Sequence, residues 1–112
     1  MKQLKIKCWI EENGDKFYGP GPHELLKQIQ KEGSLSKAAE QMHMSYKKAW
    51  AIVQRLNHFS EEALVNLKKG GQHGGGAEVS LYASELMEEY DNLQLKVQQL
   101  IVQEGKLLKI LK

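Results

Sequence analysis

The chain has 112 residues, of which 41% are hydrophobic and 27% are charged, a size and composition suited to one globular domain with its own core. No apolar run approaches the roughly 18 residues that cross a bilayer. The first residues also lack the apolar block of a secretory signal, so we expect a cytoplasmic protein without a membrane span. The single cysteine, Cys8, forms no internal disulfide, and the four histidines lack the spacing of a zinc site, so we expect neither a metal nor a cofactor.

Charge is distributed unevenly along the chain. Residues 34–76 hold six Lys or Arg, three acidic residues and three of the four histidines, whereas residues 77–104 hold one lysine and six acidic residues. A basic segment is typical of a protein that binds a polyanion such as nucleic acid, although a run of charge is more often just a solvated face. The two segments are therefore expected to have different roles.

The N-terminal segment has the pattern of a β-hairpin. Apolar and polar residues alternate from residue 4 to residue 11, which predicts a half-buried first strand. Asn13 and Gly14 follow, the dipeptide that best accommodates the positive φ angles of a tight hairpin turn. Residues 16–18 can then return as a second strand.

Three short helices are predicted next, over residues 22–32, 35–42 and 46–59. Pro22 suits the first turn of a helix, where its missing N–H is not needed, and Gly33 stands where a helix ends in a left-handed conformation. Ser34 and Ser45 are good N-cap residues for the second and third helices. The helices are thus expected to follow one another through tight connections.

The third predicted helix has an apolar face and a basic face. Its expected buried stripe is Ala49, Ile52, Val53 and Leu56. Its expected outer residues are Lys47, Lys48, Ala51, Gln54, Arg55 and His58. Lys47 and Lys48 stand in the first turn, where the helix dipole disfavours each cation by about 0.3–1 kcal/mol. Such a breach is typical of a functional site, here a helix that meets phosphates and base edges, although two exposed lysines can also be tolerated because their stems reach solvent.

The stretch KKGGQHGGGAEVSL, residues 68–81, has five glycines in seven positions. A Walker-type phosphate loop ends in Gly-Lys-Ser/Thr before a helix, and a dinucleotide fingerprint has glycine at its first, third and sixth positions. Neither pattern fits residues 70–76. The stretch is instead predicted to be a hairpin tip between two short strands, residues 64–68 and 78–81.

A long helix is predicted from the N-cap Ser80 past Leu100, spanning on the order of 40 Å. Its apolar residues follow a 4-3-4-3 spacing, interrupted by Glu104, in the order Leu86, Tyr90, Leu93, Val97, Leu100, Leu107 and Leu111. This is the seam of a coiled coil and predicts a partner helix, most simply from a second copy of the chain. The alternative is that only the first half packs on the domain and the tail frays after Gly105.

The order of these elements is that of a winged helix-turn-helix. Individual residue motifs support a more specific resemblance. The segments GSLSKAAEQMHMSYKKAWAIVQRLN and GGQHGGGAEVS closely resemble the N-terminal DNA-binding domain of ModE-type molybdate-responsive transcriptional regulators, with LysR-type domains as more distant relatives. The resemblance covers residues 5–90. It implies an α+β, mainly α fold. Residues 1–80 would form a winged helix-turn-helix DNA-binding domain that begins with a β-hairpin, and residues 81–112 would form a long C-terminal dimerisation helix.

The resemblance also assigns roles to residues. It makes residues 35–42 the positioning helix, residues 45–59 the recognition helix and the glycine stretch the wing, and we expect Trp50 to belong to the core. The candidate DNA-binding residues are Ser36, Lys37, Ser45, Tyr46, Lys47, Lys48, Gln54, Arg55, Lys68, Lys69, Gly71, His73 and Gly74. The candidate dimerisation residues are Leu86, Tyr90, Leu93, Val97, Leu100, Leu107 and Leu111.

These features together predict a dimeric transcriptional regulator that binds double-stranded DNA. Regulators of this family carry C-terminal molybdate-sensing domains, whereas this chain stops at Lys112, which puts molybdate binding in doubt. The alternative function is a protein-interaction adaptor that keeps the fold and recruits a partner through the long helix. We expect no enzyme activity, because no motif places a nucleophile beside a base or pairs two carboxylates.

Overall fold

The computed structural model describes residues 1–68 and 76–111, and its architecture confirms the predicted winged helix-turn-helix. In chain order the elements are β1 (Ile10–Glu12), β2 (Asp15–Tyr18), α1 (Pro20–Glu32), α2 (Leu35–Gln41), α3 (Tyr46–His58), β3 (Val65–Leu67), β4 (Ala77–Val79), α4 (Leu81–Gln103) and α5 (Gly105–Ile110). The strands form two antiparallel pairs, β1 with β2 and β3 with β4. We call β3, β4 and the residues between them the wing.

The N-terminal hairpin forms at the predicted turn but is shorter than its alternation suggests. Asn13 and Gly14 both have positive φ, 50° and 87°, as a two-residue hairpin turn requires. The prediction of a strand from residue 4 is wrong, because the ladder ends where Ile10 pairs with Tyr18, beside a register shift. A strand needs a hydrogen-bonded neighbour, and β2 has only four residues to offer.

The three short helices begin and end near their predicted positions, with local causes for each boundary. α1 starts two residues early at Pro20, since the first turn of a helix uses no N–H from proline. Gly33 ends it with φ 68°, and its N–H donates to the Ile29 carbonyl at 2.8 Å. Ser34 and Ser45 cap α2 and α3 as predicted, each accepting from the N–H three residues later, at 3.3 and 3.1 Å.

A single apolar cluster joins the helices, the wing and the start of α4. Its most deeply buried large side chains are Tyr18, Leu25, Leu26, Ile29, Val53, Leu56, Leu64 and Val65. Alanines at the contacts between helices, Ala38, Ala39 and Ala49, are also fully buried and allow the close approach of neighbouring elements. The predicted stripe of α3 is confirmed at Ala49, Val53 and Leu56, while Ile52 is only half-buried.

The C-terminal segment forms two helices, α4 and α5, which corrects the prediction of one long helix; the break lies at Glu104, the residue that interrupts the predicted seam. Glu104 leaves the helix at φ −92° and ψ 28°, and α5 begins at Gly105, a residue of low helix propensity. Tyr90 and Val97, two expected seam residues, are buried within the chain itself. The N-terminal segment covers this side of α4: the Tyr90 hydroxyl donates to the Cys8 carbonyl at 2.7 Å. None of the described helices is long and apolar enough to cross a membrane.

A polar cluster ties the N-terminal hairpin, α1 and α4 together. The Tyr18 hydroxyl is hydrogen-bonded to His23 Nδ1, and His23 Nε2 donates to the Asp91 carboxylate at 2.8 Å. Lys27 Nζ lies 3.1 Å from the same carboxylate oxygen. Burial raises the pKa of Tyr18 well above its usual range, helped by the nearby Tyr90 and Asp91. Burial alone would also raise the pKa of Asp91, but the hydrogen bonds and charges of His23 and Lys27 outweigh it and lower that pKa.

Replacing Asp91 tests this cluster through the pH dependence of stability. A carboxyl whose pKa is lower in the folded chain stabilises the fold above its unfolded pKa of about 3.9, and that contribution is lost as the pH falls through the lower folded pKa. We expect Asp91→Asn to lower the free energy of unfolding at pH 7 by about 1 kcal/mol, a small value because the carboxylate is half-exposed.

Urea denaturation of both chains from pH 7 down to pH 2.5 measures this effect. The difference between parent and Asp91→Asn should shrink below about pH 4. Glu85→Gln, an exposed carboxylate earlier on α4, serves as the control and should cost much less. A difference that stays constant from pH 7 to pH 2.5 would contradict the ion pair.

Candidate nucleic-acid interface

The connection between α2 and α3 sets the direction of α3. Met42 ends α2, and His43 adopts the left-handed conformation with φ 54°, which turns the chain sharply without a glycine. The Met44 N–H then donates back to the Ala39 carbonyl at 3.0 Å. The turn is therefore closed by backbone hydrogen bonds, and the residues that begin α3, positions 45–48, are all exposed.

The exposed part of α3 divides into three stripes, because its buried side is fixed. Residues three and four apart share a face of a helix. The outer stripe consists of Lys47, Ala51, Gln54 and His58, all exposed. The wing flank consists of Tyr46, Trp50 and Asn57, and the hairpin flank of Lys48, Ile52 and Arg55. Contacts with the neighbouring elements support this division on both sides.

The hairpin flank is held against the N-terminal hairpin. The Arg55 guanidinium donates to the Lys16 carbonyl at 2.6 Å and lies 5.5 Å from the centre of the Phe59 ring. Phe59, just after α3, stacks on Phe17 of β2 at 5.2 Å between ring centres. The sequence pattern placed Lys48 and Arg55 on the basic outer side, and both are exposed, but the fold separates them from the outer stripe.

The wing flank holds β3 through one side chain. Asn57 Oδ1 accepts from the N–H groups of Leu64 and Val65, at 2.8 and 3.2 Å, and Asn57 Nδ2 donates to the Val65 carbonyl at 3.0 Å. Three backbone groups at the start of the wing, from Leu64 and Val65, therefore find their partners on α3. Sequence analysis missed this residue, because an asparagine near the end of a helix has no spacing signal that distinguishes it from a surface residue.

The prediction that Trp50 belongs to the core is wrong. Its side chain is 46% exposed, and Tyr46 one turn earlier is 54% exposed. The physical reason is that Ala49, Val53 and Leu56 already fill the narrow contact between α3 and the other helices. Trp50 lies on the flank of that stripe, so two aromatic rings at i and i+4 border the outer stripe. That spacing, with an alanine directly before the tryptophan, was the signal available in the sequence.

The base of the wing is tied to the junction of α1 and α2. The Ala77 N–H donates to the Gly33 carbonyl at 2.9 Å, and the Lys68 N–H donates to the Gly76 carbonyl at 2.8 Å. Lys68 Nζ also lies 3.1 Å from the Glu78 carboxylate, which offsets its charge. The candidate residues Lys69, Gly71, His73 and Gly74 lie outside the described residues.

The remaining candidates lie around the start of α2 and α3. Ser36 and Lys37 are exposed in the first turn of α2, and Ser45 is exposed although its hydroxyl is already used to cap α3. Lys37 on α2 and Lys47 and Lys48 on α3 each expose a cationic amine. Within residues 1–68 and 76–111, no three His, Cys, Asp or Glu side chains are grouped to hold a metal ion.

The sequence of this chain is similar to those of bacterial transcriptional regulators. Residues 23–74 match the family described as bacterial regulatory helix-turn-helix protein, lysR family. The transcriptional regulator ModE of Haemophilus influenzae is 36% identical over 84% of this chain and 37% of its own length. The ModE regulator of Yersinia pestis is 44% identical over 81% of this chain and 35% of its own length. The chain thus spans little more than a third of these curated relatives.

Two solved structures have the same fold at low sequence identity. Full-length LysG of Corynebacterium glutamicum, solved with bound effector Arg, aligns with a TM-score of 0.54 at 20% identity, covering 77% of this chain and 28% of that one. A variant of ZitR from Lactococcus lactis aligns with a TM-score of 0.58 at 14% identity, covering 93% of this chain and 70% of that one. At these identities the likeness establishes the fold alone.

Removing the Asn57 side chain tests how the wing is attached. Asn57→Ala leaves the N–H groups of Leu64 and Val65 and the Val65 carbonyl without their partner, so we expect the free energy of unfolding in urea to fall by about 3 kcal/mol. Asn66→Ala, an exposed asparagine on β3, is the matched control and should change stability by less than about 0.5 kcal/mol. Equal effects of the two substitutions would show that Asn57 does not hold the wing.

Proposed function

We propose that this chain, which carries the LysR-type helix-turn-helix domain in the form found in ModE-type transcriptional regulators, binds double-stranded DNA and regulates transcription. The single observation that carries the proposal is the outer stripe of α3. It is fully exposed and cationic at its N-terminal end, and its projecting side chains face away from the core. A helix presented in this way fits the major groove of B-form DNA.

The chemistry of the outer stripe matches the edges of base pairs. The Gln54 amide can donate to and accept from the major-groove edge of adenine, and Lys47 can donate to guanine or to a phosphate. Ala51 lies between them and is small enough for the helix axis to approach the bases, where its methyl group suits the methyl group of thymine. We propose that Lys47 and Gln54 contact base pairs. Tyr46 and Trp50 would then contact the sugar-phosphate backbone of the DNA beside those base pairs.

Phosphate contacts would fix the register of the helix on the duplex. We propose that the phosphates are contacted by exposed residues at the starts of the two helices, Ser36 and Lys37 on α2 and Ser45 and Lys48 on α3. We propose that the wing follows the adjacent backbone through Lys69, Gly71, His73 and Gly74. Lys68 contributes less charge than its sequence position suggests, because Glu78 pairs with it.

The proposed regulator acts as a dimer formed through residues 81–112. Leu93 and Leu100 are 42% and 45% exposed one heptad apart on α4, and Leu107 and Leu111 are exposed beyond the interruption. Leu86 packs partly on the core, and Tyr90 and Val97 are covered within the chain, so the interface would be narrower than the full seam. Two copies would place their α3 helices in successive major grooves, about 34 Å apart.

This proposal implies a cellular location and a lack of enzyme activity. A DNA-binding regulator works in the cytoplasm of a bacterium, where the chromosome lies, and the relatives named above are bacterial regulators. We expect the chain to bind DNA without modifying it.

Removing the two lysines at the start of α3 tests the DNA interface. We expect the double substitution Lys47→Ala, Lys48→Ala to weaken binding to promoter DNA by about tenfold or more at low salt. For each phosphate that the variant no longer neutralises, the slope of log affinity against log salt should also become shallower by about one. Fluorescence anisotropy with labelled duplex DNA at several salt concentrations measures both quantities.

A second double variant controls for the reduction of net charge. Lys31→Ala, Lys96→Ala removes two exposed lysines from α1 and α4 and should leave the affinity within about twofold of the parent. If both double variants weaken binding equally, the effect comes from overall charge and the assignment of the interface to α3 is refuted.

Charging the exposed seam tests dimerisation. Leu93→Asp, Leu100→Asp should shift the chain from dimer to monomer in sedimentation velocity, because an interface does not tolerate unpaired carboxylates. Leu95→Asp is the matched control, since Leu95 is 64% exposed on α4 but does not follow the seam spacing. A parent chain that is monomeric at all accessible concentrations would contradict a dimer built on α4.

A further inference from the structure

An open pocket of about 450 Å³ lies between the N-terminal hairpin and the hairpin flank of α3. Its size is within the range of small-molecule sites in proteins, about 300–1,000 Å³. The proposed DNA contacts of α3 use the outer stripe, Tyr46, Trp50 and Lys48, and they leave the apolar surface on this side of the helix unexplained. Residues from β2, the start of α1, the turn before α3 and α3 itself meet at the pocket.

The pocket has an apolar floor and an aromatic wall. Phe17, Met44 and Ile52 are half-buried at its floor, so they keep apolar surface available to a ligand. Trp9 stands at one side with its ring 46% exposed. The Trp9 indole N–H donates to the Glu11 carboxylate at 2.6 Å, which satisfies its polar group, so the part of the ring that Lys16 does not cover remains for contact.

Cationic side chains surround that apolar floor. Lys16, Lys48 and Arg55 all line the pocket, and among the described residues no acidic side chain does. Lys16 Nζ lies over the Trp9 ring, 4.1 Å from its centre, which places a positive charge on one face of the aromatic wall. Arg55 uses its guanidinium on the Lys16 carbonyl but has five N–H donors in all, so donors remain for an anion.

We infer that this pocket binds a small planar aromatic carboxylate. The ring of such a ligand would stack beside Trp9 and cover the floor around Ile52, while its carboxylate would meet Lys48 and Arg55. The apolar floor is the feature that favours this ligand over a DNA phosphate, because a phosphate is recognised by charge and N–H groups and gains nothing from buried apolar carbons.

Occupancy of the pocket would affect DNA binding through α3. Lys48 and Ile52 belong to the same helix as the outer stripe, so a carboxylate at the pocket offsets a charge close to the proposed DNA interface. This second step rests on the proposed function, whereas binding of the ligand itself does not. The carboxylate is therefore expected to lower the affinity for DNA.

Isothermal titration calorimetry with 2-naphthoate tests the pocket without DNA. We expect 2-naphthoate to bind the parent chain at least about fivefold more tightly than the neutral 2-naphthamide, since only the former pairs with the cations. Lys48→Met should weaken the binding of 2-naphthoate about threefold. Ile52→Trp, whose larger side chain fills the floor of the pocket, should abolish this binding. Lys47→Met, the neighbouring lysine on the outer stripe, is the matched control and should leave binding unchanged.

Three outcomes would overturn the pocket assignment. They are equal affinity for the carboxylate and the amide, equal effects of Lys48→Met and Lys47→Met, and no heat of binding with about 5 mM 2-naphthoate. Circular dichroism of Ile52→Trp establishes whether it folds, and Lys48→Met keeps the test decisive if it does not.

Anisotropy of labelled DNA with and without 2-naphthoate tests the coupling. We expect saturating 2-naphthoate to raise the dissociation constant for DNA about threefold in the parent and to have little effect in Lys48→Met. An unchanged DNA affinity while 2-naphthoate binds would refute the coupling and leave the pocket standing. A chain that binds 2-naphthoate but no DNA would refute the proposed function instead.

Discussion

Burial of Ala49, Val53 and Leu56 fixes the rotation of α3 about its own axis, and the proposed DNA-binding surface follows from that rotation. Once these side chains enter the core, a helix of 3.6 residues per turn must present Lys47 and Gln54 on the opposite side. The buried stripe of α3 is narrow because its first member, Ala49, is an alanine. It therefore leaves room for neighbouring elements to approach both flanks of α3.

Those flanks are used differently. On one side Asn57 supplies hydrogen bonds to the backbone at the start of β3, so the wing is positioned by α3 itself. On the other side Arg55 donates to the backbone of the N-terminal hairpin, and the open pocket lies beside this contact. The proposed DNA-reading surface is thus bordered by a structural attachment on one flank and by a cationic pocket on the other. The two borders place Lys47 and Arg55, which are close in sequence, on different sides of α3.

Local signals in the sequence predicted local features well. The hairpin turn at residues 13–14, the serine caps and the left-handed end of α1 at Gly33 each depend on a few neighbouring residues, and all were predicted. Features that depend on distant partners were missed. Trp50 is exposed because other residues fill the contact, and Tyr90 is buried because the N-terminal segment crosses α4. Competition for a partner elsewhere in the chain leaves no mark in the spacing of apolar residues.

The central claim, that the outer stripe of α3 meets duplex DNA, is tested most directly by a ¹⁵N NMR titration with a promoter duplex. We predict that the largest shifts and line broadening occur at the backbone amides of Lys47, Ala51 and Gln54 and at the indole N–H of Trp50. The amides of residues 93–103 on α4 should change much less. Shifts confined to α4, with α3 unaffected, would contradict this claim and favour a partner-binding role for the long helix.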